Sequence, residues 1–319
     1  MVLRRWAAVL AEGVLATLLA VGCFGGGAAF PFLGAMLTLL CPLPLVVLAL
    51  RHGRPAFWGS LLLVPLLLAL FGSSRHAAAF VLEFAGPALI LAEGLRHGRR
   101  SEALVLGVGI CLSLGGVAVL LLGAGSWEQP LLTLRQQLEL LLRDAEGMTA
   151  RLGLTEGSEA AAASAAQIRG FILAAFPGLF FAGNLLAAAG YDAFVRWLLR
   201  RRMATLGVPV PAPWQWRLPE QLIWAFIGAG ALYLTGIERV AAVGLNGLIG
   251  LVALYFLQGV SIALFWVQRF QLPRFFVTVS VVVLMLQPLT MLLLAGIGLF
   301  DVWCAFRRPG LPQAPGGVS

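Results

Sequence analysis

Long apolar segments separated by short loops that contain arginine constrain this 319-residue chain more than any other feature. A helix needs about 20 mostly apolar residues to cross the hydrocarbon core of a bilayer. Only 11% of the residues are charged and 60% are hydrophobic, whereas an average soluble domain has about 25% charged residues. A soluble fold of this length could not cover so much apolar surface. The sequence therefore predicts an all-α, polytopic transmembrane helix bundle of about eight or nine spans.

The predicted spans form two groups, with a more polar stretch between them. The first group lies within residues 1–126 and the second within residues 166–308. Residues 309–319 are rich in Pro and Gly and are predicted to be disordered. The predicted spans are Trp6–Phe24, Ala28–Leu50, Ala56–Phe71, Ala77–Leu95, Glu102–Ala124, Gln167–Leu199, Glu220–Thr235, Glu238–Phe270 and Arg274–Leu294.

One predicted span is longer than a bilayer requires. As a single helix, Glu238–Phe270 would be about 50 Å long, against a hydrocarbon core of about 30 Å. We expect this helix to tilt, protrude or break, and the glycine-rich sequence GLNGLIG at Gly244–Gly250 is the expected weak point.

The polar stretch, residues 127–165, is predicted to contain an amphipathic helix outside the membrane. Between Pro130 and Leu152 the apolar residues recur at alternating intervals of three and four, which places them on one helical face. This helix could fill a long loop, lie on the membrane surface, or pack as a lid or coiled-coil arm. Its apolar residues are Leu131, Leu134, Leu138, Leu141, Ala145, Met148 and Leu152.

The distribution of arginine predicts the orientation of the chain. The net charge is +8, and all 22 basic residues are arginine. These residues lie between apolar segments, so the expected partner is an anionic lipid surface and not nucleic acid. The positive-inside rule places the N-terminus in the cytoplasm of a bacterial inner membrane, although Arg307 and Arg308 then fall on the outer side. Residues predicted to contact lipid or a partner are Arg196, Arg200, Arg201, Arg202, Trp214 and Trp216.

Polar residues inside the predicted spans are the candidates for function. A charged side chain at mid-span costs about 2.5–3.5 kcal/mol on insertion scales, so such residues usually have a specific role. We predict a ligand-binding site that uses Glu83, Glu12, Asn184 and Asn246. The alternative is that Asn and Gln side chains form hydrogen bonds between helices and bind nothing else. Glu93 and Asp192 lie close to arginines and are expected to form interfacial ion pairs.

The sequence contains no motif that indicates an enzyme. It lacks the zinc-protease, nucleophile-elbow and phosphate-loop patterns. The four cysteines form no closely spaced pair and are expected to act as small buried apolar residues. We therefore expect no catalytic residue, no cofactor and no metal site.

Several segments of the C-terminal half carry a resemblance to a known family. They are the segment around Asn184, WQWRLPE at Trp214–Glu220, GLNGLIG, LQGVSIALFWVQRFQLPR at Leu257–Arg274, and GLFDVWCAFRR at Gly298–Arg308. Together they resemble the YybS-like family of bacterial membrane proteins, a domain of unknown function. That family is distantly similar to the S components of energy-coupling-factor transporters, which bind small molecules and dock on a transport ATPase module.

The resemblance implies a small-molecule-binding transport component. In S components the first helix carries a small-residue docking face, a part that Ala7, Ala11, Ala16 and Ala20 could play here. S components usually have six spans, fewer than predicted for this chain, so the implied function rests on analogy of fold. The alternative is a scaffold that does not transport and that recruits envelope or division proteins through the amphipathic helix and the arginine-rich loop.

Reporter fusions test the predicted separation of the spans. Fusions after Arg99 and after Ala150 should report opposite compartments, because the span Glu102–Ala124 lies between them. Alkaline phosphatase needs an oxidising compartment to form its disulfides, so it should be active at Ala150 and inactive at Arg99. Activity at both positions, or at neither, would contradict the predicted topology.

Overall fold

The computed structural model describes residues 2–29, 37, 40–124, 159–205, 215–271, 287–304 and 306–307, with the isolated positions 136, 139–140, 143–144 and 147. It divides into two compact units, Met1–Pro211 and Ala212–Ser319. In the first unit the helices are α1 (Val2–Ala29), α2 (Leu43–His52), α3 (Arg54–Phe71), α4 (Ser74–Arg96), α5 (Ser101–Ala124) and α6 (Glu159–Thr205). In the second unit they are α7 (Leu222–Tyr233), α8 (Glu238–Arg269) and α9 (Pro288–Cys304).

The all-α membrane bundle is confirmed, but the predicted number of spans was too high for the residues described. Six helices are long and apolar enough to cross a membrane. They are Trp6–Gly26, Arg54–Phe71, Ser74–Arg96, Ser101–Leu122, Ala166–Leu198 and Glu238–Arg269. Three other apolar helices are shorter, and they are Leu43–His52, Leu222–Tyr233 and Leu289–Cys304.

Two of the predicted spans are short helices that begin at or soon after a proline. A prolyl nitrogen has no hydrogen to donate, so proline favours the start of a helix, although Pro65 of α3 and Pro177 of α6 lie inside long helices. Helix α2 begins directly after Pro42, although the prediction continued the span through it. Helix α7 begins three residues after Pro219 and has 12 residues, about 18 Å, which is too short for a core of about 30 Å. Residues 272–286, which fill much of the last predicted span, lie outside the described part of the chain.

Helix α8 is continuous through GLNGLIG, so of the three alternatives of tilting, protruding or breaking, it does not break there. It runs for 32 residues from Glu238 to Arg269. Gly244 faces α7, and a Cβ atom there would lie 2.6 Å from the carbonyl oxygen of Ala229. The glycines of GLNGLIG thus serve close packing of α7 on α8, and the expectation of a weak point was wrong.

Helix α4 contains a π turn at Val81–Ala85, between α-helical segments Ser74–Phe80 and Gly86–Arg96. Pro87 lies four residues after Glu83. Its ring would clash with the Glu83 carbonyl group in a regular α-helix, and its nitrogen cannot donate to that group. Widening the turn relieves this clash, and single π turns of this kind occur frequently at functional sites.

Close helix contacts in both units depend on glycine. A Cβ atom on Gly115 of α5 would overlap the Leu82 carbonyl oxygen in the π turn. In the second unit, α8 and α9 cross where Gly259 faces the Leu294 carbonyl oxygen and Gly298 faces the Tyr255 carbonyl oxygen. Small residues that let backbones touch are a main source of helix association in membranes, because lipid removes the hydrophobic driving force.

The crossing of α8 and α9 should therefore be sensitive to a single methyl group. We expect Gly298→Ala to destabilise the chain by about 1–3 kcal/mol, because overpacking forces the backbones apart. Gly296→Ala is the matched control, since a Cβ atom at Gly296 has no neighbour within 4 Å. Thermal unfolding of both purified variants in one detergent would measure the difference. Equal midpoints would show that the backbones are not in contact.

Candidate functional site

Glu83 lies on the π turn near the middle of the span Ser74–Arg96. Its side chain is half-buried, and no described residue forms a hydrogen bond or ion pair with it. Its neighbour Phe84 is 2% exposed, and α5 touches the turn through Gly115. The carboxyl group is therefore held in apolar surroundings with no partner among the residues described.

Two buried polar groups lie close enough to Glu83 to interact with it electrostatically. They are the thiol of Cys41, just before α2, and the hydroxyl of Tyr191 on α6. The Cys41 thiol is fully buried and donates to the Ala20 carbonyl oxygen of α1 at 3.3 Å. Tyr191 is 4% exposed, and its hydroxyl has no hydrogen-bond partner among the residues described. Buried hydroxyl groups in proteins are almost always paired, so this one requires an explanation.

Asn184 joins α6 to α5. Its amide nitrogen donates to Ser113 Oγ at 3.2 Å, and Ser113 Oγ donates to the Gly109 carbonyl oxygen at 2.8 Å. This is the interhelical role that we weighed as the alternative. No described residue donates to the Asn184 carbonyl oxygen, which leaves an acceptor available. Asn184 and Tyr191 are seven residues apart, so they lie on the same side of α6.

Glu12 has partners of its own at one end of the bundle. Its Oε2 atom lies 3.3 Å from a guanidinium nitrogen of Arg51 and 2.9 Å from Nε2 of His52. The charge of Glu12 is therefore balanced by α2, and its part in a ligand site stays a prediction.

Asn246 belongs to the second unit, on α8, where its amide nitrogen donates to the Ala242 carbonyl oxygen at 2.7 Å. A bond to the residue four positions earlier in the same helix satisfies one of its two amide protons. Its part in a ligand site stays a prediction.

Two other acidic residues in the spans of the first unit, Glu93 and Asp192, are each paired with an arginine. Arg54 donates to both carboxylate oxygens of Glu93, at 2.8 and 2.7 Å. Arg196 donates to both oxygens of Asp192, at 2.8 and 2.9 Å, and also to the Arg99 carbonyl oxygen at 3.2 Å. Glu93 is partly exposed, whereas Asp192 and Arg196 are buried.

The structure places two of the predicted lipid-contact residues inside their units. Arg196 is 7% exposed and Trp216 is 8% exposed, so neither offers its side chain freely to lipid. The reason is that each is used in packing, Arg196 against Asp192 and Trp216 beside Arg307. Arg200, Arg201 and Arg202 lie near the end of α6, where the side chains are not among those described, and Trp214 lies outside the described residues. Their contacts with lipid or a partner stay predictions.

A cavity of about 400 Å³ opens where α4 meets α5, away from Glu83. It lies at the end of the bundle that carries the Arg54–Glu93 ion pair. Its lining residues are Ile90, Glu93, Gly94, His97, Arg99, Ala103 and Leu104. Among the described residues no three His, Cys, Asp or Glu side chains are grouped so that they could hold a metal ion.

The second unit contains a buried polar network that the sequence analysis missed. Arg307 donates to Asp301 at 2.8 Å, to the Trp216 carbonyl oxygen at 2.6 Å and to Ser261 Oγ at 3.2 Å. Gln258 donates to Asp301 at 3.2 Å and accepts from the Leu218 amide at 3.0 Å. We had placed Arg307 on the outer side of the membrane, but its side chain is buried within the second unit, where Asp301 balances its charge. The sequence did contain one indication of this network, because all of these residues lie in the segments that carry the family resemblance.

Comparison with known proteins gives one match. A family model described as "Predicted membrane protein (DUF2232)" matches residues 17–302. No curated protein matches the chain, and no solved structure matches it.

The buried and the exposed ion pair should differ in their contribution to stability. We expect Asp192→Asn to cost about 3–5 kcal/mol, because it leaves the buried Arg196 charge without its partner. Glu93→Gln removes one partner of an exposed pair and should cost at most about 1 kcal/mol. Chemical unfolding of both variants in mixed detergent would measure the two values. Similar losses would mean that the Asp192–Arg196 pair is hydrated and not buried.

Proposed function

This chain belongs to the DUF2232 family of predicted membrane proteins, and we propose that it is a small-molecule-binding component of a membrane transport system. We propose further that it lies in a bacterial inner membrane with its N-terminus in the cytoplasm, on the evidence of the arginine bias. The proposed ligand site is in the first unit, around Glu83.

The observation that carries the proposal is the contrast between Glu83 and three other acidic residues in the spans of the first unit. Glu12, Glu93 and Asp192 each lie within 3.3 Å of a basic side chain. Glu83 has no such partner among the described residues, although it lies near the middle of its span. An acid that served only packing would be expected to have a hydrogen-bond partner, and an ionisable residue in mid-span is by default a candidate for function.

The surroundings of Glu83 also suit a ligand site. The π turn enforced by Pro87 displaces the backbone at this point, and Gly115 brings α5 directly against it. The Tyr191 hydroxyl and the Asn184 carbonyl oxygen add a donor and two acceptors from α6. A few polar groups on otherwise apolar walls are typical of small-molecule sites between helices.

The sequence resemblance to the YybS-like family, and through it to S components, would imply docking on a transport ATPase module. In those proteins the docking face is on the first helix. Here Ala16 and Ala20 are 7% and 0% exposed within the unit, whereas Ala7 and Ala11 are exposed. Any such face would therefore use the N-terminal half of α1.

The alternative of a scaffold rests on the amphipathic helix predicted within residues 127–165. Nearly all of that segment lies outside the described residues, so the scaffold stays a prediction from sequence. Envelope or division proteins would be its partners.

Ligand-induced thermal shifts test the proposed function. The purified full-length chain in lipid nanodiscs is screened against a panel of vitamins and cofactors. At least one compound should raise the unfolding midpoint, since a ligand at 100 times its Kd stabilises a protein by about 2.7 kcal/mol. Glu83→Ala and Asn184→Ala should lose that shift relative to their own ligand-free midpoints.

The matched control for this screen is Glu93→Gln, which changes an acidic residue of the same span outside the proposed site. This variant should keep the full shift. If no compound stabilises even the unmodified chain, the proposed function is wrong. Equal shifts in Glu83→Ala and the unmodified chain would place the ligand elsewhere.

A further inference from the structure

We propose that the site at Glu83 takes a monovalent cationic group, either a proton or the ammonium group of an organic substrate. This inference deepens the proposed function, because it names the charge of what the same site would hold. It stands on four observations about the described residues. The Glu83 carboxyl group has no partner, the nearby basic side chains contact other acidic residues, the buried Tyr191 hydroxyl has no partner, and the site has too few ligands for a multivalent ion.

One positive group would balance the charge of an ionised Glu83. Among the described residues, those that interact electrostatically with Glu83 are Cys41 and Tyr191, and both are ordinarily neutral at pH 7. Cys111 of α5 lies beside Gly86 and is ordinarily neutral as well. While Glu83 is ionised, its carboxylate would repel an anionic substrate, and a neutral substrate would leave the charge buried without compensation, so that Glu83 would take up a proton instead.

The nearby basic groups are already engaged. Arg51 and His52 of α2 contact Glu12, Arg54 of α3 holds Glu93, and Arg196 of α6 holds Asp192. His76, in the first turn of α4, lies 2.7 Å from Ser73 Oγ through its Nδ1 atom. None of these groups can neutralise Glu83 without leaving its present partner, and Arg75, eight residues before Glu83, is exposed in the first turn of α4. The proposed ligand would therefore supply the positive charge.

Tyr191 gives the ligand a second contact. Its hydroxyl oxygen is an acceptor, its ring is an aromatic surface, and 96% of the residue is buried, since it is 4% exposed. An ammonium group has three donors and no acceptor. A carboxylate together with a phenol oxygen therefore matches an ammonium group.

The same groups do not suit a divalent ion. Calcium takes six to eight oxygen ligands, and magnesium requires near-octahedral coordination. The part of the chain that the structure describes has no group of three acidic, histidine or cysteine side chains at this point. One carboxylate balances one positive charge, so the site is suited to a monovalent group.

Carbodiimide labelling tests this inference directly. Dicyclohexylcarbodiimide adds to a protonated carboxyl group in apolar surroundings, and the product is located by mass spectrometry of the full-length chain in nanodiscs. Glu83 should be labelled, and Glu12 and Glu93 should not, because their basic partners hold both carboxyl groups in ion pairs. Glu83→Gln should abolish the labelling, while Glu93→Gln should leave it unchanged.

A matched set of probes then identifies the charge that the site accepts. The set is n-butylammonium, n-butanol and n-butyrate, which share a carbon chain and differ in charge. If n-butylammonium alone protects Glu83 from carbodiimide labelling, the site takes an ammonium group. The labelling of Glu83 should then slow about tenfold at ten times the probe concentration that halves the labelling rate. Slower labelling as the pH rises, without protection by any probe, indicates that the proton itself is the cation.

Three results would overturn the inference. They are equal protection by n-butanol or n-butyrate, labelling that responds to neither pH nor probe, and labelling of Glu83 only after denaturation in dodecyl sulfate. If n-butylammonium protects Glu83 from labelling but no compound of the vitamin and cofactor panel binds, the proposed transport function is wrong and the cation site is supported. If neutral or anionic compounds of the panel stabilise Glu83→Gln as well as the unmodified chain, the cation inference fails and ligand binding stands.

Discussion

Direct contact between helix backbones is the constraint on which the rest of this structure depends. Lipid tails are as apolar as leucine, so apolar side chains gain little by leaving lipid for a partner helix, and close van der Waals contact must supply the attraction. Gly115 allows it between α5 and the π turn of α4, and Gly259 with Gly298 allows it between α8 and α9. These contacts fix where the polar groups of each unit lie, including the turn that carries Glu83.

Polar groups in the two units show two ways of satisfying charge in a membrane. In the second unit, Asp301 and Arg307 neutralise each other inside a network that also binds Gln258, Ser261 and the Trp216 carbonyl oxygen. In the first unit the ion pairs of Glu12, Glu93 and Asp192 follow the same rule. Glu83 departs from it, and a residue that breaks the local rule of its own fold is where function is expected.

Sequence could predict those elements that depend on local composition. Helices α1, α3, α4, α5 and α8 lie close to their predicted spans, because hydrophobic length alone sets them. Glu83 and Asn184 could be selected because each polar residue interrupts an apolar segment. The contact of Glu12 with Arg51 joins residues 39 apart in the chain, and that of Arg307 with Trp216 joins residues 91 apart. Such pairings depend on how helices pack, which no local pattern encodes.

The burial of Arg307 has a consequence for where the family's fold ends. The family match stops at residue 302, within α9, yet the guanidinium five residues later contacts three separate parts of its unit. A chain cut at residue 302 would keep every helix of that unit nearly whole while leaving the Asp301 carboxylate unneutralised in an apolar interior. A fragment that ends where the family match ends would therefore not be expected to fold correctly. The second unit needs the chain to continue at least as far as Arg307.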